Sequence, residues 1–214
     1  MSVKVKICGL SERATLDVAL DAGADMVGLV FFPRSPRNVT IEQAGALAPA
    51  ARGRAEIVAL TVDADDALLE AIAREIRPDY LQAHGSESPA RVAEITRRFG
   101  LPVIKAIKVR DGQDIDRAED YAGTAVFLLF DAVAEMVQDA LPGGNGVSFD
   151  WSLLAGRGMG QFMLSGGLRP DNVAEAIRIT GAPMVDVSSG VESAPGVKDA
   201  ALIRNFIEAA KSAG

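Results

Sequence analysis

The sequence predicts a single α/β domain, a (β/α)8 or TIM barrel, spanning residues 1–214. Three observations predict it. Eight short apolar runs alternate with segments of helical periodicity, no two consecutive runs are joined by a hairpin signal, and several runs are apolar on both faces. A doubly wound open sheet is the alternative that keeps the same alternation. No linker, low-complexity tract or charge block marks a domain boundary.

The first strand is Val3-Lys4-Val5-Lys6-Ile7-Cys8, in which Val3, Val5 and Ile7 form one row and Lys4, Lys6 and Cys8 the other. Gly9 breaks it, and Ser11 is positioned to cap a helix that runs to Asp21 and ends at Ala22-Gly23. Asp25 to Phe31 is the second strand, apolar on both faces as a parallel strand covered on each side requires. A loop with Pro33 and Pro36 follows, then a helix over Ile41–Arg52 and a strand over Ala55–Val62. Asp65–Glu75 is helical and Tyr80–Ala83 is a short strand introduced by Pro78-Asp79. Pro89–Phe99 is a helix stopped by Gly100, Pro102–Ile107 a strand, Ile115–Tyr121 a short helix and Ala125–Phe130 the sixth strand. The longest irregular stretch, Asp131 to Ser148, carries Leu-Pro-Gly-Gly-Asn-Gly; such loops often serve function. Trp151–Ala155 is a minimal helix, Phe162–Ser165 strand seven, Asp171–Ile179 its helix, Met184–Val187 strand eight and Val197–Lys211 the closing helix.

A net charge of −7 argues against nucleic acid or an anionic membrane as the main partner, while leaving room for local cation clusters that hold a phosphorylated metabolite. No apolar run approaches the ~18 residues of a membrane span, and Met1-Ser2 leads straight into a strand without an apolar leader, so a cytoplasmic location is expected. One cysteine cannot form an internal disulfide, in keeping with a reducing compartment. Neither a zinc-type Cys/His cluster nor a dinucleotide or Walker glycine fingerprint is present, so neither metal nor cofactor is expected. Outer barrel helices can pair, but no apolar stripe names an interface: a monomer and a homodimer are both compatible.

In a barrel the chemistry stands at the C-terminal ends of the strands. There the sequence places Cys8, Arg37, Asp63, His84, Asp131, Gly166-Gly167 and Asp186-Val187-Ser188-Ser189-Gly190. A lone cysteine is commonly a small buried hydrophobe. Cys8, however, ends a polar row with Lys6 one repeat (about 6.6 Å) below, a cation that favours the thiolate. In a closed barrel strand eight neighbours strand one, which makes Asp186 the expected partner of Lys6. Asp131 follows the apolar run Val126–Phe130, where desolvation would raise its pKa and suit a general acid; the plainer reading is an Asp that caps its own turn. His84, the only histidine, shares a face with Gln82 and reads equally as a base or as a structural hydrogen-bonding group. The glycine loops after strands seven and eight offer backbone N–H groups suited to phosphate. Arg34 and Arg37 lie on a loop stiffened by two prolines, where a held guanidinium suits a carboxylate.

Together, Lys6-Ile7-Cys8-Gly9, Phe32-Pro33-Arg34-Ser35-Pro36-Arg37, Gln82-Ala83-His84-Gly85, Gly143-Gly144-Asn145-Gly146 with the later Phe-Asp-Trp, Ser165-Gly166-Gly167-Leu168, Asp186-Val187-Ser188-Ser189-Gly190-Val191-Glu192 and Pro195-Gly196-Val197-Lys198-Asp199 resemble the motifs of the N-(5'-phosphoribosyl)anthranilate isomerases of tryptophan biosynthesis. The resemblance spans the chain in order, departing at Ala83, where the family usually has a larger aliphatic residue. It implies an Amadori rearrangement of an aminoaldose to an aminoketose without a cofactor, on a small phosphosugar that carries an anthranilate group. By the same resemblance Cys8 is the general base and Asp131 the general acid, Arg37 holds the anthranilate carboxylate, and backbone around Gly167 and Gly190 holds the phosphate. The substrate-binding set expected is Arg37, His84, Gly166, Gly167, Asp186, Ser188, Ser189 and Gly190.

Such a mechanism needs a neutral Asp131 and an ionised Cys8, the reverse of their forms in neutral water. The apolar strand before Asp131 and the cations near Cys8 are expected to act in those directions. Two rivals remain: a histidine-pathway phosphosugar isomerase, whose family uses two aspartates where this chain has Cys8 and Asp131, and a barrel that binds a phosphate ligand without turnover.

Overall fold

Strand formation follows the apolar runs. In the computed structural model, which describes residues 2–132, 148–158 and 160–214, eight parallel strands close into a barrel. They are β1 (Lys4–Cys8), β2 (Met26–Phe31), β3 (Glu56–Thr61), β4 (Tyr80–Ala83), β5 (Val103–Val109), β6 (Phe127–Ala132), β7 (Phe162–Leu164) and β8 (Met184–Val187). Each pairs with its sequence neighbour, and β8 closes on β1 with Lys6 opposite Asp186. Closure rules out the open sheet.

Alternation along each strand makes two cores. Met26, Val58, Ile104, Ala106, Leu129, Met163 and Met184 fill the interior, backed by Tyr80 and Phe127. The opposite faces, among them Val5, Ile7, Leu29, Ile57, Leu81, Val103, Phe130 and Val185, pack against the outer helices. Those helices are α1 (Arg13–Asp21), α2 (Ile41–Ala51), α3 (Asp66–Ala71), α4 (Pro89–Phe99), α5 (Gly112–Asp116), α6 (Val173–Thr180) and α7 (Ala200–Ser212).

Several boundaries differ from expectation for local reasons. Ser11 does not cap α1: the helix begins at Arg13 from an uncapped Glu12. The amides of Gly9 and Leu10 both bond Gly28 O, which keeps the chain along the sheet edge for two further residues. The helix expected to Glu75 ends as α-helix at Ala71 and widens into a π turn, Ile72–Ile76, where Arg77 N donates to Ile72 O. The short helix before β6 starts earlier, because Asp111 caps Gln113 and Asp114, and it tightens to 3-10 geometry over Arg117–Tyr121. Strands β5 and β6 run two residues further than expected, through the pairs Lys108–Asp131 and Val109–Ala132. Asp131 therefore lies in the sheet rather than at the start of a loop. The glycine-rich Leu141-Pro142-Gly143-Gly144-Asn145-Gly146 falls outside the described residues.

The largest correction is at the C-terminal end. Val197 and Lys198 do not begin the last helix; they form β10 (Val197–Lys198), antiparallel to β9 (Glu192–Ala194), with Gly196 at φ +82 in the turn. Asp199 then caps α7 by accepting from Ala201 and Leu202 N–H. A hairpin, unexpected from the strand–helix alternation, thus follows β8 and reaches Arg37 and Pro36 in the loop after β2.

Candidate active site

Cys8 is the last residue of β1 and only 4% exposed, packed against Val30 and Leu60. Its register partner on β2 is Gly28, where a Cβ would come within 2.9 Å of Sγ. The thiol thus occupies space that any side chain at position 28 would take. Ser188 donates to Cys8 O at 3.1 Å, which ties the strand end to the loop after β8.

Beneath the thiol lies the pair expected from closure. Lys6 Nζ is 2.8 Å from Asp186 Oδ1, with both groups buried, and Ser165 donates to Asp186 Oδ2 at 3.3 Å. Burial works against the Lys6 ammonium, yet Asp186, and after it Cys8, outweigh that and hold Lys6 above its ordinary value. The expectation for Cys8 itself is corrected. Burial pushes the thiol up; Lys6 and Lys198 oppose this, Asp186 adds to it, and the net direction is upward. The cations are in place, but a thiol so fully enclosed, with a carboxylate close by, is not lowered by them overall.

Arg37 is buried in the loop after β2, whereas Arg34 is exposed. Glu192, at the start of β9, grips the Arg37 guanidinium in a two-point pair, Nε to Oε1 at 2.7 Å and Nη2 to Oε2 at 2.8 Å. Lys198 reaches the same carboxylate at 2.7 Å and donates also to the Ser188 carbonyl and hydroxyl. Despite burial, Arg37 and Lys198 together hold Glu192 below the usual carboxylate value. Burial pushes Lys198 down, against Glu192 and Cys8. The arginine loop also packs tightly, since a Cβ on Gly9 would lie 2.6 Å from Arg37 Cδ. In the sequence Glu192 and Lys198 stand out only as members of longer motifs; the hairpin that delivers them to the mouth has no strand-length apolar run to announce it.

Asp131, 3% exposed, stands on β6, which β7 and β8 separate from β1 around the ring. Its Oδ2 is 3.1 Å from His84 Nε2, and His84 Nδ1 is 2.7 Å from the Gln82 side-chain nitrogen. Asp63 takes no part in this group: it adopts φ +47 and accepts from Ser86 N–H, pinning the loop that carries His84. Glu87 and the buried Lys105 tie down the same loop from outside the barrel, Lys105 Nζ bonding Gly85 O at 2.8 Å and Glu87 at 3.1 Å.

Gly166 and Gly167 both adopt positive φ, +87 and +64, immediately after Ser165. Asn172 donates to Gly167 O at 3.0 Å and accepts from Arg169 N–H, which holds this turn rigid. After β8, Ser189–Val191 makes a single 3-10 turn, and Gly190 lies so close to Leu168 O that a Cβ there would collide with it. The two glycine loops thus form one cradle of backbone at the barrel mouth, a setting suited to a phosphate. Gly190→Ala forces backbone rather than a flexible side chain to move, and is expected to cost about 1–3 kcal/mol. A lowered thermal midpoint against wild type would measure it; an unchanged midpoint would contradict the close approach.

Comparison with known proteins gives a consistent result. Residues 5–209 match the family model described as N-(5'phosphoribosyl)anthranilate (PRA) isomerase. A relative from Rhodopseudomonas palustris (strain BisA53), named N-(5'-phosphoribosyl)anthranilate isomerase, is 61% identical over 213 residues, 99% of this chain and 97% of the relative. Among solved structures, phosphoribosyl anthranilate isomerase from Thermotoga maritima superposes with a TM-score of 0.87 at 33% identity, covering 98% of this chain and 99% of that one. A phosphoribosyl anthranilate isomerase in complex with reduced 1-(o-carboxyphenylamino)-1-deoxyribulose 5-phosphate gives a TM-score of 0.84 at 33% identity over the same shares.

Proposed function

Because this chain belongs to the N-(5'-phosphoribosyl)anthranilate isomerase family, we propose that Cys8 and Asp131 divide its reaction between them as base and acid. The reaction is the Amadori rearrangement of N-(5'-phosphoribosyl)anthranilate to 1-(2-carboxyphenylamino)-1-deoxyribulose 5-phosphate, a step of tryptophan biosynthesis. Asp131 protonates the furanose ring oxygen as the ring opens to an iminium ion. Cys8, as thiolate, removes the C2' proton, and the electron pair moves to the iminium nitrogen. The resulting enolamine tautomerises to the ketone. The substrate's own nitrogen accepts the electrons, so the steps need only proton transfers.

The observation that carries this reading is the contrast between two buried groups at one barrel mouth. Among the described residues two lysines act on the thiol, as does one acid already paired to Lys6, whereas an imidazole holds the carboxyl group. A thiol flanked by cations is suited to becoming an anion when substrate binds. Among the described residues the imidazole engages Oδ2 of Asp131, which leaves Oδ1 for a substrate.

Arg37 takes the anthranilate carboxylate. The Glu192 grip sets the guanidinium plane before substrate arrives, which reduces the ordering cost of binding. Gly166, Gly167, Ser188, Ser189 and Gly190 hold the phosphate through the two contiguous loops. Asp186 supports the thiol side through Lys6. The ligand is a small phosphosugar with an anthranilate group, and the acting species is a cytoplasmic monomer or homodimer.

The test is a fluorescence assay of the purified protein with N-(5'-phosphoribosyl)anthranilate. Loss of substrate fluorescence with formation of the aminoketose is expected. A protein that leaves this substrate unchanged but turns over a histidine-pathway aminoaldose would overturn the assignment.

A further inference from the structure

Gln82, His84 and Asp131 form a buried line of polar groups across β4 and β6, exposed by 0%, 5% and 3%. Both imidazole nitrogens are engaged within the protein, one by the Gln82 side-chain nitrogen and one by Asp131 Oδ2. A neutral imidazole has one N–H and one lone pair, so the direction of the hydrogen bond at one nitrogen dictates that at the other. Gln82 is therefore in a position to set what His84 offers Asp131.

The amide could face His84 with either end. With nitrogen toward Nδ1, as placed, Gln82 Oε1 is buried without a partner among the described residues. With the amide turned over, the group left there would be an N–H donor instead. A buried orphan N–H is the rarer arrangement in proteins, and an under-satisfied carbonyl oxygen the more tolerated one. The placed orientation is thus the one the surroundings favour.

We infer that Gln82 and His84 are positioning residues that give this line a fixed polarity: Gln82 donates to Nδ1, the imidazole proton is confined to Nε2, and Nε2–H is donated to Asp131 Oδ2. The inference rests on Asp131 being the acid and adds how its proton is placed. With Oδ2 occupied by a donor, the proton that Asp131 transfers sits on Oδ1, the oxygen His84 does not engage. After transfer, the same N–H stabilises the carboxylate formed. His84 acts through these two hydrogen bonds and never exchanges a proton with substrate.

His84 is the only histidine in the chain, so nitrogen-15 NMR of histidine-labelled protein reads its tautomer without assignment. The expected spectrum has a proton-bearing Nε2 and a pyridine-type Nδ1. A proton on Nδ1, or averaged signals from two tautomers, would overturn the inference. Gln82→Met, of similar length but without a donor, is expected to give averaged tautomers and a kcat lowered about tenfold, part of the whole acid contribution, with KM changed less than about twofold. Gln82→Glu replaces the donor with an acceptor and is expected to move the proton to Nδ1 and lower kcat further. A Gln82→Glu enzyme that keeps both the Nε2–H tautomer and wild-type kcat would refute the polarity. The acid assignment fails separately: full turnover by Asp131→Asn would remove it while leaving the wild-type tautomer as found.

Discussion

Replacing Cys8 by serine, or Asp131 by asparagine, is expected to lower kcat by roughly two to four orders of magnitude, the range a positioned acid or base contributes. The two variants should differ in their pH profiles. In the proposed mechanism the active form carries a proton on Asp131 and none on Cys8. For such a pair the profile is bell-shaped, and the group with the higher pKa sets the alkaline limb whichever form it must take. A thiol pushed upward by burial and by Asp186 is that group. Thus kcat/KM should fall on the alkaline side at a pH above the ordinary cysteine range, and that limb should vanish in Cys8→Ser, since serine does not titrate there. Both proteins should keep the wild-type thermal midpoint to within a few degrees. An alkaline limb that survives unmoved in Cys8→Ser would contradict the role given to the thiol.

Lys6→Met is expected to lose both stability and activity. It leaves Asp186 buried without its cation, and breaking a buried pair from one side costs about 3–5 kcal/mol. For a chain of this size that corresponds to a fall in thermal midpoint of roughly 6–20 °C. Activity should fall as well, because Lys6 is the foremost of the groups that draw Cys8 toward its thiolate, and the alkaline limb should move higher still. The pair Lys6→Met with Asp186→Leu separates these effects. Replacing both partners by apolar groups of similar size should restore most of the midpoint, since the desolvation penalty disappears with the charges. It should not restore kcat. Recovery of full activity in the double variant would show that the pair serves packing alone.

How far the sequence carries differs from element to element, for physical reasons. Tyr80–Ala83, Pro89–Phe99 and Met184–Val187 have the bounds expected, because each is flanked by a residue that cannot continue it: Pro78-Asp79 or Ser88 before, Gly100 after, or a serine-glycine turn. The Lys6–Asp186 pair was legible because ring closure makes two distant strands neighbours and leaves their inward rows facing each other. The start of α1 was not, since its position depends on two amides bonding a carbonyl on β2. The direction of the Cys8 shift was also hidden. A local count sees the cations, whereas the enclosure by Val30, Leu60 and the absent side chain of Gly28 comes from neighbouring strands. Glu192 illustrates the same limit: nothing near it in sequence indicates Arg37, 155 positions earlier.

Ring closure has a consequence in time. The contact between Lys6 and Asp186 joins residues 180 positions apart, and Ser188 reaches Cys8 across the same separation. Contacts of such separation form late, after the entropy of a long loop has been spent. A chain still emerging from the ribosome has the Cys8 thiol from its first turn of synthesis, but neither Lys198 nor Asp186 beside it. The proposed base is therefore an ordinary cysteine until the last strand docks, and on this reading catalytic competence arrives with the final seam rather than growing in step with the structure.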